Sequence, residues 1–206
     1  MKEADVYSEL SSIRSLMERS SKFISLSGLS GVMAGIYALA GAFFGWRIVY
    51  KEAGGLVINN YDVIDPRVWS QLVVIALVVL VLSLTTVIVL TYRQSKKKEQ
   101  QFWGPGSKRL LSSLALPLVT GGILIIILLY RGEYSMVAPA CLLFYGLSLV
   151  SGSHYTFSDV KWLGICQITL GLLCALMPGY GLIFWTIGFG ILHILYGSIM
   201  HFKYKQ

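Results

Sequence analysis

Long apolar runs alternate with short polar segments along the chain, and each run is close to the roughly 20 residues a helix needs to cross a bilayer core. The runs are Phe23 to Tyr50, Gln71 to Tyr92, Leu110 to Tyr130, Tyr134 to Ser151, Asp159 to Met177 and Gly181 to Phe202. They predict an all-α polytopic membrane protein with six transmembrane helices arranged as three out-and-back hairpins. Ahead of them, Val6, Leu10, Ile13 and Met17 recur at alternating spacings of four and three, the stripe of a short amphipathic helix. The chain is thus expected to divide into a cytoplasmic amphipathic helix, residues 1–22, and a six-span transmembrane domain, residues 23–206. No basic segment and short apolar stretch with a cleavage site precedes the first span, so the polar start is expected to be retained.

Composition agrees with that pattern. Hydrophobic residues make up 55% of the chain, charged residues 13%, and the mean hydropathy is +0.68, leaving too little polar surface to cover a soluble globule. Charge then supplies an orientation, because basic residues near span ends are held on the cytoplasmic side. With both termini inside, all of the 17 lysines and arginines except Arg47, Lys51, Arg67 and Arg131 fall on that side. The net charge of +7 is mostly this topology signal, and the stretch from Arg93 to Arg109 is expected to meet anionic lipid headgroups rather than nucleic acid. Residues 1–22 carry balanced charge, which fits packing on the bundle, on a second copy in a homo-oligomer, or on a cytoplasmic partner.

The spans differ in their small residues. The first carries Gly31 and Gly35 on one face, whereas the second has no glycine and reads as a lipid-facing helix. In the fifth span Gly164, Gln167 and Gly171 lie at i, i+3 and i+7; in the sixth, Gly190, His193 and Gly197 repeat the spacing. Turning at Gly179 and Tyr180, an antiparallel hairpin places Gly164 with Gly197, Gln167 with His193 and Gly171 with Gly190 at equal depth. The expected result is a close glycine crossing that brackets a Gln167 to His193 hydrogen bond. That intramembrane polar pair has two readings, a structural bond between helices or part of a proton path or pocket with Tyr196, Tyr145 and Tyr37.

Cys141, Cys166 and Cys174 all fall inside spans, with no CxxC and no histidine at metal-ligand spacing, so no metal or cofactor is expected and the thiols read as packing residues. A bridge between Cys141 and Cys174 is conceivable from their depth. Gly28, Leu29, Ser30 and Gly31 spell GxSG, and with His193 on the last span and Trp46 with Arg47 after the first they resemble fragments of the rhomboid intramembrane proteases. Ser30 nevertheless sits on the first span rather than the fourth, at a different depth from His193, and Tyr196 stands where a rhomboid glycine belongs. No catalytic residues are assigned on this basis.

The stretch GICQITLGLLCALMPGYGLIFWTIGFGILHILYG, Gly164 to Gly197, resembles the repeated helical hairpin of HdeD-type bacterial membrane proteins, with a fainter echo in Leu116 to Gly152. That resemblance implies a six-helix protein of a bacterial inner membrane, of stress-related or unknown role, without catalytic residues to carry over. The expected function is noncatalytic: structural, stress-related or regulatory. The rival class is a small transporter or oligomeric channel for a neutral or apolar solute, since no span holds an acidic or basic residue deep within it.

Overall fold

The computed structural model describes residues 27–53, 66–97 and 102–204. The expected amphipathic helix of residues 1–22 and residues 54–65 of the first loop lie outside the described residues. Six helices are long and apolar enough to cross a membrane. We number them α1 (Gly28–Ala53), α2 (Pro66–Lys97), α3 (Pro105–Tyr130), α4 (Val137–Gly152), α5 (Asp159–Leu176) and α6 (Gly181–Lys203). Short 3₁₀ turns, Tyr134–Met136 and Ser153–Tyr155, lead into and out of α4. Among the described residues there is no strand.

Local chemistry sets the ends. Pro105 opens α3, where its missing N–H is no loss, and the Ser107 hydroxyl accepts the Gly104 N–H at 2.8 Å. At the other end Gly132 adopts φ +75°, the left-handed conformation that closes a helix. The Glu133 N–H reaches back to the Leu128 carbonyl and the Gly132 N–H to that of Leu129, so two orphan carbonyls are satisfied. Pro178 stops α5, and Gly179 at φ +99° turns the chain into α6.

The helices pack as two tight pairs with a flank on each. One pair is α1 with α6, flanked by α2 on α1; the other is α4 with α5, flanked by α3 on α4. The α6 N-terminal half also touches α4 and α5, which joins the pairs. In its most apolar stretch α2 buries none of its residues, and Val74, Leu77, Val81 and Leu84 point away from the bundle. Such surface is stable in lipid, where apolar burial between helices gains little and close backbone packing gains more. Hydroxyl pairs tie the flanks on: Tyr37 with Thr86 at 3.2 Å between α1 and α2, and Ser113 with Ser151 at 2.7 Å between α3 and α4.

The glycines sit at the tight crossings, but the partners differ from the expected hairpin. A methyl group built on Gly164 would stand 2.8 Å from the Gly146 carbonyl oxygen of α4, and one on Gly171 would meet Leu143 of α4. On α6, Gly190 faces Leu39 and Gly197 faces Gly28, Gly31 and Val32, all of α1. Gly31 and Gly35 complete that crossing, the latter against the Gly190 carbonyl and Ile194. The glycine faces of α5 and α6 therefore look away from each other. The physical reason is reciprocity: backbones approach most closely where both helices lack side chains, and α1 offers Gly28, Gly31 and Gly35 while α4 offers Gly146. The α5–α6 hairpin is tied at its open end by polar contacts, where Asp159 accepts from Lys203 Nζ at 2.9 and 3.0 Å and from the Tyr204 hydroxyl at 2.8 Å. Burial, helped by that carboxylate, raises the Tyr204 phenol above its ordinary pKa.

A buried polar node at a wide turn of the sixth helix

Helix α6 is not α-helical throughout. Gly181–Trp185 and His193–Lys203 are α, but Thr186–Leu192 between them winds as a π-helix. A π segment is a local widening of the i→i+4 ladder, and side chains can insert at such a point. Here two of them do. The Gly188 carbonyl oxygen accepts from Gln167 Nε2 of α5 at 2.9 Å and bonds His193 Nδ1 at 2.9 Å, five residues on in its own helix.

The bond expected between Gln167 and His193 is thus replaced by a shared acceptor. Their depth match is real, yet both side chains donate to the same backbone oxygen instead of to each other. A carbonyl can only accept, so Nδ1 carries the imidazole proton, and Nε2 of the neutral ring accepts from the Tyr145 hydroxyl of α4 at 2.8 Å. Helices α4, α5 and α6 therefore meet at one oxygen and one ring. Gln167 is fully buried at 0% exposure and His193 is buried at 6%. Phe189 closes the side of the node, with its ring centroid 5.1 Å from Tyr145 and 5.9 Å from His193.

Glycine at 188 lets Leu142 and Gln167 close on this turn. A methyl group there would stand 2.5 Å from Leu142 Cδ2 and 2.6 Å from Gln167 Oε1. The node has one defect: Gln167 Oε1 is buried without a hydrogen-bond partner. A buried acceptor left in that state costs about 1–3 kcal/mol, so Gln167 holds the node together and weakens it at the same time.

The other residues singled out in the sequence fall elsewhere. Tyr37 bonds Thr86 and does not join His193. Tyr196 lies one turn beyond His193 on α6, and His201 packs edge to face on Phe202. The Ser30 hydroxyl donates to the Ser27 carbonyl at 2.6 Å, while both His193 nitrogens are engaged with Tyr145 and Gly188, so the two residues form no dyad. Cys141, Cys166 and Cys174 are free thiols. Among the described residues no three His, Cys, Asp or Glu side chains gather as a metal site. Gly188, the centre of the node, had no signal in the sequence beyond its place in a glycine-rich stretch. Comparison of the chain with protein-family models, with curated proteins and with solved structures gives no match.

Proposed function

We propose that the chain is a noncatalytic six-span protein of a bacterial inner membrane, with a structural, stress-related or regulatory role. In this reading both termini face the cytoplasm, the spans form three out-and-back hairpins, and residues 1–22 with the basic stretch from Arg93 to Arg109 make the surface that meets partners and anionic headgroups. The HdeD-type resemblance of the last hairpin belongs to the same reading.

One observation carries it most of the way. The titratable imidazole inside the bundle and its polar neighbours are engaged with one another, Tyr145 on His193 and His193 with Gln167 on the Gly188 carbonyl, with Gln167 Oε1 left over. Buried ionisable groups of carriers face a water-filled cavity or an ion path, and this imidazole instead lies between the Tyr145 and Phe189 rings where α4, α5 and α6 meet. Such an arrangement supports a sealed interface.

The test is proton flux in liposomes. Reconstituted protein is expected to leave an imposed pH gradient as long-lived as in empty vesicles, and His193→Gln is expected to change nothing. A leak that the wild type shows and His193→Gln abolishes would overturn the sealed-scaffold reading. The orientation is tested separately with a reporter fused at Gln206, expected to be active only if folded in the cytoplasm. A carrier for an apolar solute is the second reading, favoured by a cavity that lies away from the node.

A further inference from the structure

The last two turns of α2 are covered on a side where no described helix stands. Leu72, Ile75, Val79 and Thr86 form the face of α2 that meets α1, through Gly45, Gly41 and Tyr37. At about 100° per residue, Thr91 and Ser95 lie about 130° and 170° round the helix from the middle of that face. Leu84 and Ile88 continue the same strip toward the bilayer interior and are more than half exposed, as lipid-facing residues should be. Thr91 and Ser95 are instead 3% and 1% exposed, and neither hydroxyl has a hydrogen-bond partner. Among the described helices α2 packs along α1 alone. Something other than those helices therefore closes over the strip.

We propose that the apolar stripe of residues 1–22, Val6, Leu10, Ile13 and Met17, docks on this strip of α2 within the same chain. Depth brings the two together. Gly45 is level with Leu72 and Gly41 with Val79 in the antiparallel α1–α2 pair, so Gly28 at the start of α1 is level with Thr91. The chain that precedes α1 thus arrives beside the covered strip, and residues 23–27 span up to about 17 Å, more than the roughly 8–10 Å between packed helix axes. Chemistry selects the stripe. Arg93, Lys96 and Lys97 lie on other sides of α2 and are exposed, which leaves the strip uncharged, with small Thr and Ser side chains that allow close approach. The rival cover, Lys98, Glu99, Gln100 and Gln101, offers no apolar side chain. Phe102, which follows it, packs edge to face on exposed Tyr92, about 80° round the helix from the strip. Docking depends on neither the polar node nor the sealed-scaffold reading, and it leaves the charged residues of 1–22 outward.

Thiol protection tests it, in the intact 206-residue chain purified in detergent with Cys141, Cys166 and Cys174 replaced by Ala. Ser95→Cys is expected to react with a charged maleimide severalfold more slowly than the exposed control Lys96→Cys. Leu10→Glu together with Ile13→Glu is expected to abolish that protection and leave the control rate unchanged. Oxidative cross-linking gives a second readout that does not rely on disrupting the stripe: Leu10→Cys, Ile13→Cys or Met17→Cys is expected to form a disulfide with Ser95→Cys inside one chain. Equal rates for Ser95→Cys and Lys96→Cys, or protection that survives the two glutamates, overturns the proposal. Cross-links that form only between chains also overturn it and assign the strip to a second copy.

Discussion

Replacing His193 and Gln167 in turn should have opposite consequences, although both donate to the same oxygen. His193→Leu removes a donor to the Gly188 carbonyl and the acceptor for the Tyr145 hydroxyl. Gln167 still serves the carbonyl, but the Tyr145 hydroxyl is left buried and unpaired, a cost of about 1–3 kcal/mol. Adding the lost bond between helices, about 0.6–1.7 kcal/mol, gives an expected destabilisation of about 2–5 kcal/mol. Gln167→Met loses one bond of the same about 0.6–1.7 kcal/mol size, yet it also deletes the orphaned Oε1, whose burial costs about 1–3 kcal/mol. The net runs from about 0.7 kcal/mol destabilising to about 2.4 kcal/mol stabilising, centred on the stabilising side.

The assay is reversible unfolding in mixed micelles titrated with sodium dodecyl sulfate and followed by circular dichroism. A double-mutant cycle sharpens it. Tyr145→Phe alone leaves Nε2 of His193 unpaired, so adding it to His193→Leu should cost less than the sum of the two single changes. The reasoning is refuted if Gln167→Met is as damaging as His193→Leu, or if the Tyr145 and His193 changes add.

Glycine substitutions should separate crossings from lipid faces. Gly146→Ala places a methyl 2.7 Å from the Gly164 carbonyl and should lower the melting temperature in detergent, whereas Gly122→Ala meets nothing within 4 Å and should be neutral or raise it by the helix propensity of alanine. Gly188→Ala should be milder than Gly146→Ala, because its methyl meets the movable ends of Leu142 and Gln167 rather than backbone, and it should be partly rescued by Gln167→Ala. Asp159→Asn should leave the fold intact with a small loss of stability at low salt that disappears at high salt, since Lys203 is exposed to solvent and screened there. Thiol accessibility gives a last check: Cys174, buried at 2% exposure, should resist a charged maleimide until the protein is unfolded.

The spans were legible because length and hydropathy are properties of single segments. Each expected run coincides with a helix to within about a turn or two at its described ends, and the glycine-free second span does face away from the bundle. Depth was legible too, since equal rise per residue places Gln167 level with His193 whichever way they point. Azimuth was not. The spacing i, i+3, i+7 occurs at Gly28, Gly31 and Gly35 as well as in α5 and α6, and identical ladders cannot announce which will pair. Chain adjacency favoured α5 with α6; the structure pairs α1 with α6 and α5 with α4. Tyr145, named beside His193 for its chemistry, does bond it, but Tyr37 on α1 does not.

The π segment explains why the face was misread and why the node exists at all. A reading at 3.6 residues per turn puts Gly190, His193 and Gly197 on one stripe. In the structure Gly190 and Gly197 face α1, while His193 looks toward α4 and its donor Tyr145. The His193 ring folds back on the Gly188 carbonyl, five residues before it in the wide turn, and that takes it off the glycine stripe toward α4. Helix α6 can then serve two partners: glycines keep it against α1, and the Gly188 carbonyl with the His193 ring presents polar groups to α4 and α5. A straight α-helix would have to choose between those faces. The local cost of the widened ladder is offset by the two donors that reach its carbonyl, so the irregular turn and the polar residues around it stabilise each other.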